Sequence, residues 1–371
     1  MNHEKRCFNQ RTTEFKRQKR DLKRGVLDTK IEKGKQNRKG GGKMRVLAAD
    51  LGYSSVKVAG TGAKPFKFPS AVALKPQLGS VASKMESYNF GGLDYLVGEE
   101  ALRFSSGVGG RSEDFSVAFA PLLIAKAVEE MRKRIGRDYT PDILVVSVAV
   151  DEYSKEITVP LPEGGKESGI KSELLEKRLR EFEVNGEKFK FEEVVVLPQG
   201  KGIWIDIGEP EDALIIDIGF NTTDVLRIED GKIVYSTGGK VGVLNLASYL
   251  KDYLANQGVK VGDKVVKLEI STEKAEKAIR ERYLKVRGEK IPLEEIIPIE
   301  TLKNLLISRV FGIIEENRAL ITALDELGEV VVAGGGGYFV PENFKGYRIR
   351  IPSEPEFSNV RGFLKFVENQ L

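Results

Sequence analysis

Apolar and polar positions change period several times along the chain from residue 44 onward. From Arg45 to Asp50 nearly every position is apolar. The chain then turns through "LGYSS" and resumes to about Ala59, which predicts two strands joined by a tight turn. "PFKFPSAVAL" (65–74) predicts a third strand, and "LVGEEAL" (96–102) opens a short helix. Residues 115–136 carry apolar positions at helical spacing with basic residues near the end, so one amphipathic helix is expected there. "DILVVSVAV" (142–150) and "EEVVVLP" (192–198) read as strands covered on both faces, with a polar-faced helix over 171–182 between them.

The pattern then restarts. "ALIIDIG" (213–219), "TDVLRIED" (223–230) and "KIVYSTG" (232–238) predict three strands, the last two joined by "EDGK". A helix over 243–258 stops at a glycine, a charged helix follows around 272–287, and a long helix spans 299–324. "EVVVAGGGGYF" (329–339) runs from a buried strand into four glycines, and 359–371 predicts a closing helix. This order is an internal duplication of α/β units. Its clearest mark is a pair of hairpin turns, "LAADLGYSSVKV" (47–58) and "LIIDIGFNTTDV" (214–225), whose aspartates Asp50 and Asp217 lie 167 residues apart.

Charge changes the picture at one end only. The 371 residues carry a net +4, but residues 1–43 alone carry +10, so the remainder is mildly acidic. That tail has few large apolar residues and no sustained period, and it is expected to be disordered. It could grip nucleic acid or another anionic surface through phosphate contacts. It could equally be a solvated tail, or a translation start placed ahead of Met44. The only histidine, His3, and the only cysteine, Cys7, lie in it. Residues 44–371 therefore hold no Ser-His-Asp triad, cysteine nucleophile or His/Cys zinc site. Chemistry there must run on carboxylates, hydroxyls, amides, lysine and backbone, which suits phosphoryl transfer with a hard metal ion. No apolar run reaches the ~18–20 residues of a membrane span, no secretory h-region opens the chain, and one cysteine fits a reducing compartment. A cytoplasmic protein without a membrane is expected.

In the first turn Asp50 ends a buried strand. Gly52 offers positive φ and close backbone approach, Ser54 and Ser55 add hydroxyls, and Lys57 supplies a positive charge. Alone, this reads first as an ordinary hairpin with Asp and Gly as turn formers. The second turn repeats the aspartate, glycine and hydroxyls as Asp217, Gly219, Asn221, Thr222 and Thr223, and adds Asp224. Two such turns facing across a cleft would hold a polyphosphate between backbone N–H groups, with Asp50 and Asp217 flanking hydrated Mg²⁺. Gly334, Gly335, Gly336 and Gly337 make sense if a flat group such as an adenosine presses on the backbone; a flexible loop is the alternative. Gln199, in "VLPQG" at the junction of the two halves, offers an amide that could orient an attacking water.

D-x-G with a downstream lysine, a second D-x-G-x-x-T-x-D, the linking P-Q-G and the late glycine cluster resemble the actin/Hsp70/sugar-kinase superfamily of ATPases. "YLVGEEAL" (95–102), "LIIDIGFNTTDV" and "VVVAGGGG" (330–337) are similar to its ParM and Alp-type branch in bacteria and archaea. The resemblance implies two duplicated ribonuclease-H-like, actin-like α/β domains around a nucleotide cleft. The expected segments are a tail over 1–43, domain I over 44–198, domain II over 199–358, and a helix over 359–371 returning to domain I. It implies ATP and Mg²⁺ as cofactors, with Asp50, Gly52, Ser54, Ser55 and Lys57 as the first phosphate loop and Gly219, Asn221, Thr222 and Thr223 as the second. Gln199 and Asp217 would be catalytic, Asp50 and Asp217 would hold the metal through water, and Gly334 to Gly337 would pack on the nucleotide. Asn359 to Gly362 would form a second hinge, and the adenine would lie near Lys274 and Lys277. The implied function is slow, polymerisation-coupled ATP hydrolysis in filaments that segregate plasmid DNA, with a DNA-binding adaptor. The alternatives are a small-molecule kinase of the superfamily and a membrane-associated scaffold anchored by Phe363, Leu364, Phe366 and Val367. For that last helix, packing on the core is the stronger expectation.

Overall fold

The structure, a computed structural model, describes residues 44–76, 85–104, 115–327 and 330–370. The basic tail and its expected nucleic-acid contact lie outside these residues.

The first sheet contains β1 (Val46–Leu51), β2 (Ser55–Gly60), β3 (Ala63–Pro69), β4 (Ile143–Val148) and β5 (Glu193–Pro198), in the order β5-β4-β1-β2-β3. β1 to β3 form an antiparallel meander, while β4 and β5 run parallel to β1. Both faces are covered, so the strands read as unbroken apolar runs rather than alternating ones. Every residue of β1 and β4 is buried. Leu47, Ala49 and Leu51 pack with helices α1 (Ala120–Ile135) and α2 (Lys171–Arg180), while Val46 and Ala48 face the other way.

A short helix, α3 (Lys201–Asp206), leads into the second sheet. Its strands are β6 (Ala213–Ile218), β7 (Thr223–Glu229), β8 (Lys232–Gly239), β9 (Val330–Ala333), β10 (Asn343–Phe344) and β11 (Tyr347–Arg350), in the order β8-β7-β6-β9-β11-β10. Again a three-stranded meander comes first and a parallel neighbour, β9, follows. Leu214, Ile216 and Ile218 pack under α4 (Val243–Asn256) and α5 (Ile299–Glu315), and Ala213 and Ile215 pack against Ile203 of α3.

The closing helix, α6 (Ser358–Glu368), returns to the first sheet. Val360, Phe363 and Val367 are fully buried against Val46, Ala48, Ile143 and Val195, and Leu364 and Phe366 pack against the same cluster. Its apolar stripe is spent on the core. Among the described residues no helix is long and apolar enough to cross a membrane.

α3 and α6 cross at two glycines. A Cβ on Gly362 would lie 1.7 Å from the Gly202 carbonyl oxygen, and one on Gly202 would lie 2.3 Å from that of Asn359, so only glycine permits the approach. Asp206 ends α3 by accepting from Ser358 Oγ at 2.8 Å, Arg361 Nη2 at 2.5 Å and Lys365 Nζ at 2.7 Å. Burial would raise its carboxyl, but these donors outweigh burial and hold it below the ordinary value.

Several elements differ from the pattern reading. The third strand stops at Pro69, which lacks a ladder donor. Val72–Leu74 turns into a separate small sheet with Leu93–Val97 and Tyr88–Phe90. The 115–136 helix is two pieces, Phe115–Ala118 and α1, broken at Phe119 ahead of Pro121. The carbonyls of Val117 and Ala118 are taken up by the Arg178 guanidinium at 3.1 Å each. The charged helix ends at Glu281, where Arg282 turns left-handed and a hairpin follows. The long helix breaks before Asn317, whose Oδ1 caps the N–H of Ala319. Hairpins at Glu156–Ile170 and Glu181–Lys190 were not expected.

Candidate functional site between the two hairpins

Asp50 stands at the end of β1, on the face that looks toward α6, and is 3% exposed. β1 places it opposite Lys57 of β2 on one side and Ser147 of β4 on the other. Three donors converge on its carboxylate. Lys57 Nζ reaches Oδ2 at 2.9 Å, and Ser147 Oγ and Gln199 Nε2 reach Oδ1 at 2.8 and 2.7 Å. Gln199 follows β5, so the predicted P-Q-G amide does meet the predicted aspartate, with its amide oxygen left as an acceptor. Burial works against the Lys57 ammonium, but Asp50 outweighs it, with Asp217 and Glu356 adding, and its pKa stays above that of ordinary lysine. Gly52 is not left-handed, contrary to expectation. It is favoured by close approach instead: a Cβ there would sit 2.8 Å from Lys57 Nζ and 3.0 Å from the Ser55 carbonyl oxygen, crowding the ammonium that pairs with Asp50. Ser54 and Ser55 are half-buried at the turn, which Ser70 braces by donating to the carbonyls of Gly52 and Ser54.

The second hairpin repeats the geometry with one change. Asp217 ends β6, is 6% exposed, and lies opposite Asp224 where the first hairpin has Lys57. Asn359 Nδ2 donates to Asp217 Oδ2 at 2.6 Å. Burial and the Asp50 charge push the Asp217 carboxyl up to about 6, against Lys57 and the Asn359 amide, so the two aspartates feel one another. Asp224 is also pushed well above the ordinary carboxylate value, by burial first and then by Asp217 and Asp151. Gly219 also keeps negative φ; its N–H closes the turn on the Thr222 carbonyl at 2.8 Å. Asn221 and Thr222 are half-buried at the tip. Thr223 departs from its predicted role. It is fully buried and its hydroxyl donates to the Val241 carbonyl at 2.8 Å, so it braces the turn from inside rather than facing an anion. The first N–H groups of α4 are likewise committed to this turn, Val243 to Gly219 and Leu244 to Phe220.

The glycine cluster splits. Gly334 is left-handed at φ 80°, and a Cβ there would lie 2.3 Å from Asp217 Oδ1. A Cβ on Gly336 would lie 2.2 Å from Ile218 Cγ2, and one on Gly337 3.1 Å from Pro355. These three answer to the protein's own packing. Gly335 alone meets nothing within 4 Å and is free to take an outside group. Lys274 and Lys277 stand exposed on the Thr272–Glu281 helix, Lys277 3.9 Å from Glu281. Next to the glycines it is the Arg282 guanidinium that lies 4.2 Å over the Phe339 ring.

Asn359 is the residue whose contacts the pattern did not foresee. It is 4% exposed, accepts from the Gly200 N–H at 3.0 Å and donates to Asp217, so each aspartate takes an amide from the head of a crossing helix. A signal was present: "QGKG" (199–202) and "NVRG" (359–362) repeat amide, spacer, cation and glycine.

Two family models match the chain. "Actin like proteins N terminal domain" covers residues 48–202, and "Archaeal actin homologue MreB-like, C-terminal" covers residues 215–346. The chain belongs to the actin-like family. No curated protein matches this actin-like chain in sequence. Among solved structures it is similar to a non-polymerisable quadruple mutant of pCBH ParM, at 20% identity over 88% of this chain and all of that one, with TM-score 0.61. It is also similar to Ta0583, an archaeal actin homolog, at 23% identity over the same shares and TM-score 0.59. A third is a 15-stranded ParM filament from Clostridium botulinum, at 20% identity, again over 88% of this chain and all of that one, with TM-score 0.57. At these identities the shared feature is the two-domain actin-like fold.

The family implies a nucleotide and Mg²⁺, and the donor set of this actin-like protein can be weighed for the ion. Among the described residues no group of three or more His, Cys, Asp or Glu side chains is arranged to hold a metal directly. Asp50 and Asp217 are buried near one another, each already accepting protein donors. That suits a small hard cation that keeps much of its water shell and meets carboxylates through it. The residues present fit Mg²⁺ held in this way.

Proposed function

We propose that this actin-like protein binds ATP with Mg²⁺ between its two hairpins, hydrolyses it slowly and assembles into nucleotide-dependent filaments. The observation that carries the reading is the convergence of two buried aspartates, one steadied by the Gln199 amide just ahead of α3 and the other by the Asn359 amide in the first turn of α6. The N–H groups and hydroxyls of Gly52, Ser54 and Ser55 and those of Gly219, Asn221 and Thr222 would grip the phosphates from either side, with Lys57 adding charge. Gly335 would lie against the nucleoside, while Gly334, Gly336 and Gly337 hold the shape of that wall. Bound Mg²⁺ would neutralise phosphate charge, with Asp50 and Asp217 orienting its waters. Gln199, fixed by its amide nitrogen, presents an oxygen that can hold an attacking water, and Asp217 is the carboxylate able to take up its proton.

Relatives support the assembly reading: a solved complex of Ta0583 holds ADP, and a ParM protein forms a filament. Use in plasmid or other DNA segregation, through a DNA-binding adaptor, is the finer reading that the resemblance suggests, in the cytoplasm. Phosphate release and light scattering, followed together after adding ATP and Mg²⁺, test the proposal. Slow release with rising scatter is expected, and both should be lost in Asp217→Ala. Scatter or hydrolysis that ignores that substitution, or absence of both in the wild type, refutes it.

A further inference from the structure

A buried charge pair lies beside the first hairpin. Lys171, the first residue of α2, donates from Nζ to Glu152 Oε2; the two residues are 2% and 6% exposed. Glu152 Oε1 accepts the hydroxyl of Tyr53 at 2.6 Å, and Tyr53 sits in the first turn between Gly52 and Ser54. A small pocket of about 30 Å³, room for water, is lined by Gly52, Tyr53, Ser147, Glu152, Lys171 and Gln199. A buried ion pair is commonly no more stabilising than an apolar pair of the same volume, because both charges lose their water. Its presence at this point calls for a role beyond packing.

The segment that carries Glu152 touches the second sheet as well. Residues 149–155 form a turn closed by Glu152 N–H on the Ala149 carbonyl and Lys155 N–H on the Glu152 carbonyl. From it the Val150 N–H donates to Asp224 Oδ1 at 3.1 Å. Asp224 is the cross-strand partner of Asp217. One loop therefore holds Tyr53 on the first hairpin and Asp224 on the second, a link between the halves separate from the α3 and α6 crossings. The Val150 side chain also packs against the apolar cluster of the second sheet.

We propose that Glu152, held by Lys171, is a positioning residue that sets the first turn through Tyr53 and ties that turn to the second sheet through Val150. The inference deepens the ATPase reading and rests on it for its kinetic consequence. The turn carries Gly52 and Ser54, so a turn released from Tyr53 should still meet phosphate but misplace it relative to Gln199. The cost falls on turnover rather than on affinity.

Two double variants separate this role from stability, because both remove the buried charge pair. Glu152→Gln with Lys171→Met keeps an acceptor for the Tyr53 hydroxyl; Glu152→Met with Lys171→Met does not. The first keeps the Tyr53 contact but loses the hold of Lys171, so it should turn over ATP more slowly than wild type by less than about threefold. The second should lose about tenfold in kcat, with nucleotide affinity changed less than about threefold. Amide exchange in nucleotide-free protein supplies a readout independent of hydrolysis. Residues 51–56 and Val150 should exchange about tenfold faster in the Met/Met variant than in the Gln/Met variant. Equal exchange in the two variants overturns the positioning role whether or not the protein hydrolyses ATP. Faster exchange in a protein without turnover upholds it and faults the ATPase reading alone.

Discussion

Asp50 and Asp217 hold equivalent places in duplicated hairpins yet answer to different neighbours. Asp50 faces Lys57 across its hairpin, whereas Asp217 faces Asp224. Burial first, and then the Asp50 charge, raise the Asp217 carboxyl against Lys57 and the Asn359 amide. Its folded value of about 6 lies above that of an unfolded aspartate. Stability from this group is therefore complete below about pH 4 and lost as pH rises through about 6. Asp217→Asn should stabilise nucleotide-free protein by roughly 3 kcal/mol at pH 8 and by almost nothing at pH 4, while abolishing hydrolysis. Denaturant unfolding at the two pH values with a chelator present checks it; a gain independent of pH would contradict the assignment. Asn359→Ala strands both the Gly200 N–H and Asp217 in a buried place. It should cost about 1–3 kcal/mol in the same unfolding assay and slow turnover, whereas an unchanged stability would mean its two hydrogen bonds carry little. At this scale the sequence disclosed the two aspartates because they recur at matching offsets, Lys57 because a cation follows the first turn, and Gln199 because it sits at the junction of the halves. It hid Thr223, because a hydroxyl reads alike whether it faces an anion or, as here, a backbone carbonyl.

Elements were legible where one period ran long and illegible where a single contact interrupted it. The buried strands β1, β4, β5, β6 and β9 follow from apolar runs that only a sheet covered on both faces requires. The break at Phe119 could not be read, because it depends on Arg178 from α2 taking up the freed carbonyls. The hairpin at Glu181–Lys190 was hidden in the charged tail of a helical pattern. The four glycines show the same limit: the run was visible, but the different surroundings of each member were not. Gly336→Ala should lose roughly 1–3 kcal/mol of stability, since its Cβ would collide with Ile218. Gly335→Ala should leave stability within about 0.5 kcal/mol and weaken nucleotide binding instead. Thermal melts with and without nucleotide distinguish the two; equal behaviour would remove Gly335 from the nucleotide wall.

For the molecule as a whole, duplication explains the architecture. Two meanders, each followed by a parallel strand, are joined by α3 and α6, and their crossing at Gly202 and Gly362 fixes how closely the halves approach. Gln199 stands two residues ahead of α3 and Asn359 is the second residue of α6, so the amide on each aspartate is carried where the chain enters a joining helix. A structure of the protein with a non-hydrolysable ATP analogue and Mg²⁺ tests the central claim most directly. The triphosphate is expected between residues 52–57 and 219–222, with Asp50 and Asp217 facing the waters of one ion and Gly335 against the nucleoside. A nucleotide seated elsewhere, or one gripped by a single hairpin, would contradict it.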